Sequence, residues 1–325
     1  MKAVVFKRYG APEVLQITEI EKPVPKKNEV LVKIYATSVT AEDPKMRGFN
    51  FPPLLKLPVG LMFGFRKPKK TVLGSEFSGI IEAAGHEVKN YKTGDQVFGY
   101  SGLSFGVYAE YKCIPENGLM HFKPENFSFE QSATMVNGPL SALAYLRKKG
   151  KIKKGDRVLI YGASGSVGTA AVQLAKYFGA NVTGICSTKN LELVKSIGAD
   201  HVIDYTKEDF TKGNESYDII FDTVGKTSMK ECIRLLKPKG KYLLTEFGLS
   251  HILASIYTSL FKSKKVIVAS SNFYWKKEDL IFFKDMAEKG LFRSVIDRSF
   301  QLEEIVEAHK YVESGHKVGN VAILV

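Results

Sequence analysis

The sequence predicts an α/β protein of two domains, one mostly β and one built on a doubly wound parallel sheet of six strands. Three observations predict it. The chain has 325 residues, more than one hydrophobic core comfortably organises. Its first 121 residues hold short apolar runs broken by turn residues, among them residues 29–34, 79–82 and 96–99, the pattern of a compact β region. From residue 122 to residue 270 strand patterns alternate with helical ones, as parallel βαβ units require.

The elements of the second region follow in order. Residues 157–161 form a short apolar strand, and Val167, Ala170, Ala171, Leu174, Ala175 and Phe178 mark one face of the helix after it, which Gly179 ends. A second strand at 181–186 precedes a helix over 191–197 with Gly198 as its stop, and strands follow at 201–203 and 217–221. A helix over 229–236, a turn at 237–240, a strand at 241–245 and a last strand at 265–269 complete six parallel strands. Beyond the sheet the pattern gives helices over 277–289 and 302–314 and a terminal strand over 320–325, a tail expected to pack back on the first domain.

Composition narrows the partners. Hydrophobic residues make up 44% and charged residues 25%, as in folded globular chains. The formal net charge of +13 suits an anionic partner, but no Lys/Arg stripe interleaved with aromatics appears, so no nucleic acid is expected. Cys113, Cys186 and Cys232 are odd in number and far apart, unsuited to a disulfide framework or a four-thiolate metal site. Residues 1–10 lack an apolar stretch of signal-peptide length, and the expected location is the cytoplasm.

The chemistry enters with Gly162-Ala163-Ser164-Gly165-Ser166-Val167-Gly168, set between a strand and an amphipathic helix. At such a turn a Cβ obstructs either the chain reversal or a diphosphate, and the helix N-terminus offers N–H donors with a favourable dipole. Read as G-x-G-x-x-G, its first position is Ala163 rather than glycine. Where NAD-preferring chains close the second strand with an acid, this one runs into Ser187-Thr188-Lys189, with no Asp or Glu between Gly162 and Leu191. Hydroxyls and a cation at that place argue for NADPH; the alternative is that Lys189 only solvates a helix start.

Together these features resemble the medium-chain dehydrogenase/reductase superfamily, in its zinc-free quinone oxidoreductase (zeta-crystallin-like) branch. The likeness also rests on residues 1–5, 29–34, 73–79, 92–99, 106–111 and 217–225, in that order and spacing. It implies a GroES-like β domain from residues 1–121 and 271–325, a Rossmann domain from 122–270 that binds NADP, and an active-site cleft between them. It further implies a homodimer through the edge of the Rossmann sheet, around residues 265–269. Positions matching family residues that touch nicotinamide or substrate are Thr40, Asp43, Lys45 and Ser141, with Phe247 and Asn320 beside the cleft. Tyr205 matches a residue near the adenosine phosphate, and Val224 lies in the matching segment 217–225. Thr40 stands where an Asn is usual and Lys45 where some relatives have Tyr. Lys45 is either a proton donor and oxyanion contact or a solvated lysine next to Arg47.

Zinc relatives carry a Cys and a Gly-His-Glu, because thiolate and imidazole suit Zn²⁺. Here Asp43 stands near the cysteine position and Gly74-Ser75-Glu76 replaces Gly-His-Glu, while Gly85-His86-Glu87 falls in a turn as a decoy. What remains is hydride transfer to a small apolar electrophile, a quinone or an α,β-unsaturated carbonyl compound, which supplies its own electron sink. A 2-enoyl thioester substrate and a catalytically silent NADPH-binding scaffold are the alternatives. The apolar stretch 51–65, interrupted by prolines, is expected as a flap or wall of the substrate cleft or as a satellite cluster under a loop, and not as a membrane span. It and the apolar run 252–261 are each followed by a basic run, which permits weak peripheral contact with a membrane but no stable insertion.

Overall fold

In this computed structural model, which describes residues 1–268 and 274–325, the ten-residue strand β3 organises the first unit. A ribbon of β1 (Lys2–Val5) and β2 (Gln16–Glu19) precedes β3 (Glu29–Ser38), in which Val30, Val32, Ile34 and Ala36 are fully buried. Two helices follow, α1 (Glu42–Gly48) and α2 (Pro53–Phe63), then β4 (Glu76–Ala84), β5 (Gln96–Tyr100), β6 (Tyr111–Pro115), β7 (Leu119–Phe122) and α3 (Phe129–Ala133). The stretch 51–65 thus contains a helix, with Pro53 in its first turn, where a missing N–H costs nothing, and Pro58 within it.

The second unit begins in α4 (Asn137–Leu143) and alternates strand with helix except between β10 and β11. It runs β8 (Arg157–Tyr161), α5 (Ser166–Tyr177), β9 (Asn181–Cys186), α6 (Leu191–Ser196), β10 (His201–Asp204), β11 (Tyr217–Asp222), α7 (Met229–Leu235), β12 (Leu236–Leu244), α8 (Leu249–Phe261) and β13 (Lys265–Val268). These strands make one six-stranded parallel sheet in the order β10-β9-β8-β11-β12-β13, the expected doubly wound arrangement. Val158, Leu159 and Ile160 of β8 are fully buried, as a central parallel strand covered on both faces must be. The expected turn at 237–240 appears as a jump in register inside β12, from Leu236 opposite Tyr217 to Lys241 opposite Ile219. Ala269, the expected end of the last strand, lies outside the described residues.

The chain then returns to the first unit through α9 (Lys277–Glu288), β14 (Ile296–Gln301), α10 (Ile305–Glu313) and β15 (Asn320–Leu324). One side of β3 is shared, its first half pairing antiparallel with β6 and its last three residues with β15; the other side takes β4. The tail therefore completes the first sheet rather than covering it. The two units are residues 1–137 with 276–325, and residues 138–275. This differs from a division at 121/122, because α3 packs on β3, β4, β5 and β15; a division at 270/271 falls outside the described residues.

Arg47 on α1 is 1% exposed and ties the two chain ends of the first unit together. Its Nε donates to the carbonyl of Gly10 (3.1 Å), Nη1 to His309 Nδ1 (3.0 Å) and Nη2 to Glu313 (2.6 Å). Because a guanidinium only donates, Nδ1 of His309 must be the unprotonated nitrogen. Burial, with the Arg47 charge adding to it, holds the His309 pKa down to about 3, so the ring is neutral. Arg47, which the sequence reading treated only as the neighbour of Lys45, is thus a buried structural residue. Replacing it by Ala strands the Gly10 carbonyl and the buried His309 acceptor, and is expected to lower unfolding stability by about 3 kcal/mol, read from the urea midpoint.

Candidate functional site

The order of the parallel sheet creates a crevice. From β8 the chain winds outward to β9 and β10 on one side, and from β11 to β12 and β13 on the other, so the helices part above the carboxyl ends of β8 and β11. The glycine turn lies there. Gly162 leaves β8 with φ +78°, and a Cβ on it would meet Val224 Cγ2 at 2.4 Å and Thr223 Oγ1 at 2.7 Å. A Cβ on Gly168 would fall 2.1 Å from the Gly162 carbonyl oxygen, so α5 packs against the strand end only with hydrogen at that position. Gly165, the residue before α5, has no neighbour closer than 3.5 Å to such an atom and contributes no side-chain cap to the helix. The first turn of a helix has N–H groups without intrahelical acceptors, and here that turn opens on the crevice.

Ala163, the departure from G-x-G-x-x-G, is accommodated. It is fully buried with its N–H on the Ile185 carbonyl (3.0 Å), and its methyl faces Gly184 of β9, where a Cβ would stand 3.2 Å away. Glycine has moved to the neighbouring strand.

At the end of β9, Ser187 is half-buried while Thr188 and Lys189 are exposed. Buried Asn190 donates to Ser164 Oγ (3.0 Å) and Ser187 Oγ (3.3 Å), tying the glycine turn to the second strand. Asp204 closes β10 and accepts from the hydroxyls of Thr188 and Thr206 and from the Thr206 N–H, bonds that hold its carboxyl below the usual range, the Thr188 hydroxyl first. Tyr205 is exposed, its ring 6.2 Å from that of Tyr161. Asp222 closes β11 and accepts the N–H groups of Val224 (2.8 Å), Gly225 (2.7 Å) and Thr227 (3.1 Å), which sets Val224 against Gly162. Ser141 is buried on α4 and Phe247 half-buried in the loop after β12. Asn190, Asp204 and Asp222 were missed in the sequence, although both acids close strands that the apolar pattern locates.

Thr40, Asp43, Lys45 and Asn320 belong to the first unit. Asp43 is 1% exposed and accepts both the N–H (2.8 Å) and the hydroxyl (2.7 Å) of half-buried Thr40. It therefore holds Thr40 in place. Lys45 is half-buried on α1, and the Asn320 amide donates to the Val295 carbonyl (3.0 Å). Glu76 is buried, accepting from the Ser38 hydroxyl and the Asn137 N–H (2.5 Å), and burial pushes its pKa up to about 7.

The residues present do not fit a catalytic zinc. Asp43 and Glu76 hold the places of softer ligands and are engaged by donors of their own unit; His86 is exposed in a turn and Glu87 pairs with Lys27 (3.0 Å). Among the described residues no three His, Cys, Asp or Glu gather as a metal site would need.

A GroES-like β unit joined to a six-stranded Rossmann sheet with this turn defines a medium-chain dehydrogenase/reductase. Residues 26–124 match the alcohol dehydrogenase GroES-like domain, and residues 197–323 match the family described as zinc-binding dehydrogenase. The chain is 31% identical to the 2-methylene-furan-3-one reductase of Solanum lycopersicum, over 99% of this chain and 79% of that protein. It is 30% identical, with the same coverage, to the chloroplastic NADPH-dependent alkenal/one oxidoreductase of Arabidopsis thaliana. The quinone oxidoreductase structure from Coxiella burnetii superposes with a TM-score of 0.87 at 30% identity, over 100% of this chain and 99% of that one. The chain belongs to the quinone oxidoreductase branch of the medium-chain dehydrogenase/reductases.

Glu76 gives this site a pH signature. Its folded pKa of about 7 lies above the ordinary 4.5, so unfolding releases its proton across that window and stability falls as pH rises through it. The Asp43 charge adds to burial in opposing ionisation, while the Ser38 and Asn137 donors and the Lys317 ammonium favour it and are outweighed by burial. Glu76→Gln is expected to flatten the stability profile between about pH 5 and pH 7, measured by denaturation at each pH; an unchanged slope would show that Glu76 does not titrate there.

Proposed function

We propose that the chain is an NADPH-dependent oxidoreductase that reduces a quinone or an α,β-unsaturated carbonyl compound. The observation that carries this reading is the crevice over β8, β9 and β11, where the glycine turn and the start of α5 suit a diphosphate. There the second strand ends in Ser187-Thr188-Lys189, and Asp204, an acid that reaches this group, is turned onto the hydroxyls of Thr188 and Thr206. NADPH, when bound, supplies a hydride to the electrophilic carbon.

In this reading the N–H groups of residues 166 and 167 hold the diphosphate, the Gly165 N–H being taken by the Gly162 carbonyl (3.0 Å), and Ser187, Thr188 and Lys189 hold the 2′-phosphate. Tyr205, Val224, Ser141 and Phe247 line the rest of the coenzyme. Asp43 fixes the Thr40 hydroxyl as a donor to itself, so Thr40 presents acceptor lone pairs and keeps its proton. The proton for the product then comes from the Lys45 ammonium or from water, and Lys45 steadies the oxyanion before it arrives. Asn320 completes the first unit's contribution. No metal is required, because quinones and enones carry their own electron sink.

The same reading makes the protein a cytoplasmic homodimer. β13 pairs only with β12 among the described strands and leaves an edge ladder for a second copy, and three free thiols suit a reducing compartment.

The test is NADPH oxidation, against NADH, over quinones, alkenals, enones and acyl thioesters. Preference for NADPH with turnover of quinones or enones is expected. Tight NADPH binding with no turnover on any of them would instead identify a silent binder. Lys189→Glu is expected to raise KM for NADPH about tenfold or more with little effect on NADH, and equal effects on both would remove the 2′-phosphate from Lys189.

A further inference from the structure

We propose that α8 is a docking helix that lays its outward apolar face on the surface of an anionic phospholipid bilayer. The polarity of this helix is inverted relative to an ordinary surface helix, which buries its apolar stripe. Thr258 is its only fully buried residue, and the Thr258 hydroxyl accepts the Val266 N–H (3.0 Å) where the chain folds back into β13. Outward go Leu249, Leu253, Ile256, Tyr257, Leu260 and Phe261, each at least half exposed. Six large apolar side chains over 13 residues, about 20 Å of helix, form a contiguous face that water alone does not favour.

The lysines at its end point to what covers this face. Lys262 stands over the Tyr257 ring (5.4 Å), Lys265 donates to the Thr258 and Ser259 carbonyls, and Lys264 donates to the Ile233 carbonyl of α7. Lys262 thus lies beside the apolar face, and Lys264 and Lys265 gather at the C-terminal end of the helix. The same pattern recurs in the first unit, where α2 exposes Leu55, Leu57, Leu61 and Met62 and runs into a basic stretch over 66–70.

The charge count makes the pattern selective. Residues 44–75 hold seven Lys and Arg, residues 247–277 hold five, and neither stretch holds an Asp or Glu. The rest of the chain is left with 35 cations against 34 acids, close to neutral, so almost the whole net charge of +13 lies in the two stretches that carry the exposed apolar helices. α8 packs on β13, the proposed dimer edge, so a second copy is the competing occupant; the cation excess beside the apolar face favours anionic headgroups around buried acyl chains. Neither helix is long enough to cross a bilayer, so the contact lies in the interface plane.

The full chain should cosediment with vesicles of phosphatidylglycerol and phosphatidylcholine in equal parts, about tenfold more weakly with phosphatidylcholine alone, and less as salt is raised. The double variant Leu253→Gln, Leu260→Gln should lose about tenfold of the vesicle affinity while NADPH oxidation with a water-soluble quinone and the unfolding midpoint stay as in the parent. Lys262→Glu should weaken binding to anionic vesicles alone. The proposal fails if the parent ignores anionic vesicles, or if the double variant binds them as the parent does. It fails equally if that variant turns a dimer into a monomer without any change in lipid binding, which would make the face a subunit interface. Loss of lipid binding with turnover intact separates this inference from the enzymatic reading.

Discussion

The second unit depends on one close approach, the backbone of Gly168 against the carbonyl oxygen of Gly162. A single methyl at Gly168 would lie 2.1 Å from that oxygen, too close for any side chain, so the start of α5 reaches the strand end only because hydrogen stands there. The helix dipole is then aimed along the crevice where the sheet order reverses, and the open N-terminal N–H groups face the same way. The fit extends to the neighbouring strand, since Ala163 occupies buried space that Gly184 leaves empty. The constraint is a packing one first and a binding one second.

Around this contact, buried carboxylates serve as internal ties. Asp222 gathers three N–H groups and the Thr227 hydroxyl, Asp204 gathers two hydroxyls and an N–H, and Asp43 holds both polar groups of Thr40. Hydrogen bonds to a charged acceptor contribute about 1.5–3 kcal/mol each, enough to hold a loop of a few residues against its entropy. Donors and burial compete openly in these groups. Asp204 is held below the usual carboxylate range by its donors, whereas burial outweighs them at Asp43 and Glu76 and raises both. Acids committed in this way are poor metal ligands, and Asp204 closes the third strand, not the second, where a ribose-binding acid would stand.

The parallel sheet was legible because its strands are buried on both faces and read as unbroken apolar runs closed by glycine or by polar ends. The glycine turn was legible for the same local reason. What escaped was non-local or inverted. Arg47 looks like a surface cation beside Lys45, yet its partners Gly10, His309 and Glu313 lie far off in the chain, and no window of sequence shows them. The terminal strand could be assigned to the first domain, but not its place on the last three residues of β3, beyond the stretch that β6 occupies. Helices α2 and α8 were passed over because their apolar residues point outward, so the usual core-facing stripe is missing, and prolines interrupt α2.

That inversion bears on how the basic charge should be read. A polyphosphorylated coenzyme is a natural explanation for a cationic chain, but the stretch from Gly162 to Asn190 holds only two lysines, Lys176 and Lys189, and Lys176 is paired with Asp200. In the proposed reading, coenzyme binding rests on backbone N–H groups, hydroxyls and one exposed ammonium, which is how a helix N-terminus handles an anion without a large field. The excess charge sits instead on segments most of whose cations are at the surface, Arg47, buried against His309 and Glu313, being an exception. Surface cations in the same segments as apolar side chains turned toward solvent belong to whatever surface those segments meet.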